Sequence, residues 1–68
     1  MSYQHEQTEA DNIWYVNHNL HTSTPVVDVW VEFQGRTTLI LPKTIKVVNP
    51  DNVHITFTKQ MIGVAIIN

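Results

Sequence analysis

From Ile13 onward, apolar and polar residues alternate with a period of two in short runs, the spacing of half-buried strands. Ile13 to Asn17 sets Trp14 and Val16 on one face and Ile13 and Tyr15 on the other. His18 to Pro25 is a polar connection with Leu20 as its one apolar plug. Val26 to Phe33 is the longest strand, and Gln34-Gly35 reads as a two-residue hairpin turn, Gly supplying the positive φ. Thr37 to Leu41 returns, and Pro42, with no N–H to donate, ends its ladder. Ile45 to Val48 is a short strand, followed by Asn49-Pro50-Asp51-Asn52, a turn with Pro preset at its second position. Val53 to Thr58 alternates Val53, Ile55 and Phe57 against His54, Thr56 and Thr58. Lys59 to Ile62 is predicted as a loop, Gly63 opens the last strand, and Val64 to Ile67 completes it. The pattern predicts an all-β domain over residues 12–68, a small antiparallel β-sandwich or barrel of about six to seven short strands.

The hairpin fixes its own register. With Gln34 and Gly35 in the turn, Phe33 faces Arg36, Val31 faces Thr38, Trp30 faces Leu39 and Val29 faces Ile40. Val27, Val29, Val31, Phe33 and Ile40 then form the core face. The opposite face carries Val26, Trp30, Leu39 and Leu41 among Asp28 and Glu32. A hairpin apolar on both sides has too little chain around it to be covered from within. Together with Tyr15, which points away from the core, the second face is a candidate subunit or partner interface.

Composition agrees with strands. Val, Ile and Thr supply 24 of the 68 residues, whereas there are only two Ala and three Leu. At this length a chain buries only about 60% of its unfolded surface, so the core is thin and self-association is a natural route to stability. No cysteine is present, which removes disulfides, thiolate metal sites and cysteine nucleophiles. Residues 1–11 stand apart: Glu6, Glu9 and Asp11, no Lys or Arg, and almost nothing apolar besides Tyr3. They are expected to form a flexible N-terminal arm, with Tyr3 as the residue that docks when the arm orders on a neighbour. No long apolar run marks a membrane span or signal peptide, so the expectation is a cytoplasmic product. The net charge of −2 disfavours general binding to nucleic acid or to an anionic membrane.

Little in the sequence suggests catalysis. His18 and His21 have an H-x-x-H spacing, but in a turn, and no carboxylate sits at an obvious spacing to complete a metal site. Ser23, His21 and Asp28 lie too close along an extended chain to converge as a triad. Gly35 and Gly63 are isolated, so there is no phosphate-cradling loop. No catalytic residue, no metal ligand and no cofactor is assigned. His21 and His54 are expected to be exposed.

The ordered series of these elements carries a resemblance. Ile13-Trp14-Tyr15-Val16-Asn17-His18-Asn19-Leu20-His21-Thr22 resembles the opening of a small β-domain recurrent in virion proteins of tailed bacteriophages. The Val-rich strand and its Gly35 turn, the Ile40-x-Pro42 end, the Val53-x-Ile55-x-Phe57 strand and the Gly63-x-Ala65-x-Ile67 ending follow in the same order. The resemblance covers residues 12–68. It implies a non-enzymatic module of tail fibres, baseplates or head appendages, often oligomeric. With no fibre stalk in this chain, it implies a small accessory virion protein, such as a capsid decoration or adaptor, assembled in the host cytoplasm. It also suggests structural work for His18, Asn19 and Leu20: Asn19 adopting a left-handed turn conformation, Leu20 capping the end of the domain, and His18 satisfying a backbone carbonyl.

Two functions compete at this point. One is a structural virion protein, a homo-oligomer, a trimer above all, that docks on capsid or tail proteins through Tyr15, Val26, Trp30, Leu39 and Leu41. The other is a carbohydrate-binding, host-attachment module using Tyr15 and Trp30 as a stacking platform.

Overall fold

The computed structural model describes residues 1–68 as five antiparallel strands in one sheet, with no helix. The strands are β1 (Tyr3–Asn17), β2 (Val27–Phe33), β3 (Arg36–Ile40), β4 (Thr44–Asn49) and β5 (Asn52–Ile67). The 16-residue β5 is the spine. Along one side it pairs with β1 over nearly its whole length. On the other side its first half pairs with β4 and its second half with β2, which carries β3. The sheet is not closed. Five strands replace the expected six to seven, because Val53–Thr58 and Val64–Ile67 are one strand: Lys59 to Ile62, expected as a loop, stays extended, and Met61 pairs with Asp11.

The register slips between Gln7 and Asp11 and again between Asp11 and Ile13, the signature of bulges, which bend and twist a ribbon. The bend lets both halves of the sheet contribute to one core. Trp14 and Val16 come from β1, Val53, Ile55 and Phe57 from the first half of β5, Val29 and Val31 from β2, and Ala65 and Ile67 from the end of β5. Trp14, fully buried, stacks tilted on Phe57 at 4.7 Å between ring centroids. Its indole N–H donates to the Met61 carbonyl oxygen at 3.1 Å, fastening the core to the bend of β5. Such a side chain buries about 150–250 Å², and at about 25 cal/mol/Å² it contributes on the order of 4–6 kcal/mol to folding.

The segment expected to stand apart as an arm is the first half of β1. Tyr3 to Gln7 pair with Gly63 to Ile67. Tyr3, His5 and Gln7 lie opposite Ile67, Ala65 and Gly63 and share their inward face, and His5 reaches to 6.0 Å from the Trp14 ring. Backbone hydrogen bonding to an apolar strand suffices to hold a polar segment that has no apolar stripe of its own.

The β2–β3 hairpin has the expected register at all four pairs named above. Gln34 and Gly35 both have positive φ, 51° and 76°, as a type I′ turn requires. One core assignment fails there. Phe33 is 54% exposed, because pairing of β2 with β5 ends at Val31–Gly63 and nothing lies over the hairpin tip. The Lys59 ammonium lies over its ring, 5.7 Å from the centroid.

Candidate functional site

Two regions stand out as candidates: the outer face of the β2–β3 hairpin, and the loop from His18 to Pro25. On the outer face, Leu39, Trp30, Val64 and Glu6 stand side by side on β3, β2, β5 and β1. The next row along the strands sets Asp28 beside Ile66 and Gln4. Leu39 and Trp30 are exposed, Val64 and Ile66 half-buried, so an apolar strip crosses the sheet with Asp28, Glu32 and Glu6 among it. Val64 and Ile66 were not singled out from the sequence. Their alternation with Ala65 and Ile67 was the available signal. Val26 and Leu41, also exposed, flank the strip where the chain enters β2 and leaves β3.

Tyr15 belongs elsewhere. It sits opposite His54, which in turn sits opposite Lys46, on the outer face of the other half of the sheet. Its ring meets the His54 ring edge-on at 4.6 Å between centroids. Tyr15 thus lies against the first half of β5, whereas Trp30 lies against its second half.

The His18 loop wraps the Asn49–Asn52 turn. The backbone N–H groups of His18 and Asn19 donate to the Asp51 carbonyl at 2.9 and 3.3 Å, and that of Thr22 to the Pro50 carbonyl at 2.9 Å. Asn19 takes the expected left-handed conformation, φ 54°, and His21 takes it as well, φ 53°. Leu20 packs against the core cluster, as a cap should. His18 is buried, but its partner is not a carbonyl: Nδ1 accepts the Leu20 N–H at 3.0 Å. The other ring nitrogen, Nε2, therefore carries the proton and has no partner within the chain.

His21 is exposed but not alone. Its backbone N–H donates to Asp51 Oδ1 at 3.0 Å, and its Nδ1 lies 2.6 Å from the same oxygen. The carboxylate missing from the sequence neighbourhood comes from 30 residues away. This single contact explains how a non-glycine residue is held at positive φ. Elsewhere, His5 hydrogen-bonds Gln7 Oε1 at 2.8 Å. No three His, Asp or Glu side chains converge in a manner that would hold a metal ion. One shallow apolar groove of about 210 Å³ lies at the inner side of the hairpin, lined by Val31, Phe33, Thr38, Ile40, Lys59 and Met61. Its polar lining is the Thr38 hydroxyl and the Lys59 ammonium.

No protein-family model matches the chain, and no curated protein or solved structure matches it either.

Proposed function

We propose that this chain is a non-enzymatic structural component of a tailed-bacteriophage virion, self-associating as a trimer and docking on a larger capsid or tail assembly. The observation that carries the reading is the exposed Trp30–Leu39 pair, continued by Val64, on a face the fold leaves uncovered. Large aromatic and aliphatic side chains grouped on an outer sheet face are what contact surfaces are made of, and a chain this small gains stability by covering them. The ordered motif series from Ile13 to Ile67 supports the phage setting. The two halves of the bent sheet are, in this reading, the layers of a small sandwich.

The test is copurification. Virions are banded on a density gradient and probed for this chain, alongside virions grown with the Trp30→Ser, Leu39→Ser variant. The reading expects the wild-type chain in the particle band and the folded variant in the particle-free fraction. A wild-type chain found only free of particles contradicts it. Binding of the isolated protein to a glycan array, abolished by Tyr15→Ala, would favour host attachment instead.

A further inference from the structure

The sheet edges of this chain differ in charge, although Asp28 and Glu32 lie on the inner strand β2. Three of the six acids, Glu6, Glu9 and Asp11, lie on β1, which pairs only with β5 and is one edge of the sheet. Three of the four bases lie at the opposite edges, Arg36 on β3, Lys43 immediately before β4 and Lys46 on β4, while Lys59 is on the central β5, against Phe33. All seven side chains are exposed, and none joins an ion pair, the only one in the chain being His21–Asp51.

The β4 edge is also unfinished. Ile45 and Val47 lie opposite Ile55 and Val53 and share their inward face. Ile55 and Val53 are fully buried, yet Ile45 and Val47 are 41% and 38% exposed. Beyond them the strand presents free N–H and C=O groups, as β1 does on its far side. A free edge with partly bare inward residues is a template for another strand.

We propose that the β1 edge of one copy pairs with the β4 edge of the next, a head-to-tail contact that closes into a ring. The occupant is a second copy because the two edges are complementary in sign: Glu6, Glu9 and Asp11 meet Lys43 and Lys46. A two-fold contact of β4 with β4 would set Lys43 and Lys46 against their own mates, and β1 with β1 would oppose three acids to three acids. A head-to-tail contact avoids both and closes into a ring when its rotation permits. This inference rests on the self-association proposed above. It assigns that contact to the edges and leaves the Trp30 strip free for docking.

The experiment is sedimentation of three charge variants beside the wild type, each checked for folding by circular dichroism. One is Lys43→Glu with Lys46→Glu. Another is Glu6→Lys with Glu9→Lys, sparing Asp11 because its carboxylate accepts the Ile13 N–H. The last combines all four changes. Each single-edge variant should weaken association about tenfold or more, and the combined variant should recover it. Added salt should weaken the wild-type assembly, which gives a second readout if a variant fails to fold. An assembly indifferent to both single-edge variants and to salt, but dissociated by Trp30→Ser, overturns the edge contact while self-association stands. A folded wild-type monomer overturns both.

Discussion

Gly63 lies against the backbone of Trp30 so closely that no side chain fits between them: a Cβ on Gly63 would run into the Trp30 carbonyl oxygen and come within 2.8 Å of the Val31 Cα. Its φ of 156° lies at the margin of the range that L-residues avoid. The pairing of β2 with β5 at Val31–Gly63, and hence the placing of the Trp30 strip, depends on this missing side chain. Gly63→Ala should cost about 3 kcal/mol or more, since the obstacle is backbone and cannot rotate away. Gly35→Ala, in open space and strained only by its φ of 76°, should cost about 1 kcal/mol. Chemical denaturation of the two variants checks the order. Equal losses would mean that Gly63 is not a close-approach site.

The first ten residues should be part of the folding unit. Removing Met1 to Ala10 deletes the pairs from Tyr3–Ile67 to Gln7–Gly63 and uncovers one side of the end of β5. A loss of about 2–3 kcal/mol would lower the melting temperature by about 10 °C or more in a domain of this size. A truncated chain that melts with the full-length protein would show instead that these residues are an appendage.

How much of this could be read from the sequence depended on what holds each element. The hairpin register was legible because a two-residue turn leaves no freedom in the pairing of Trp30 with Leu39. The first half of β1 was not, because its pairing to β5 is backbone hydrogen bonding, which leaves no apolar stripe. The alternation of Tyr3, His5 and Gln7 with Gln4 and Glu6 was its faint trace. The continuity of β5 was hidden by Lys59-Gln60, polar residues that read as the start of a loop and stay within the strand. The His21–Asp51 contact joins residues 30 positions apart, a distance at which pattern alone is silent. Of the candidate interface, Trp30 and Leu39 were placed together correctly, while Tyr15 was separated from them by a bend that no local pattern announces.

The indole of Trp14 should matter beyond its bulk. Trp14→Phe keeps an aromatic against Phe57 but loses the hydrogen bond to the Met61 carbonyl and leaves a small void. The expected cost is about 1–3 kcal/mol. Thermal unfolding indistinguishable from wild type would show that the bend does not need this fastening.

Asp51 should hold the His18 loop through its acceptor atom. Asp51→Ala removes the oxygen that receives the His21 N–H and faces the His21 ring, and should cost about 1–2 kcal/mol. Asp51→Asn keeps an oxygen at that position and should cost clearly less. Amide exchange at His21 reads the contact directly, with faster exchange in Asp51→Ala than in Asp51→Asn. Equal exchange in both would mean that another group protects it.

Contact with copies of itself and with larger assemblies is the work proposed for this fold. Sedimentation equilibrium of the unmodified full-length protein, at tens of micromolar and moderate salt, tests it most directly. The expected result is a single folded species of three times the 7.8 kDa chain mass. A folded species that sediments at the mass of one chain across that range would contradict it.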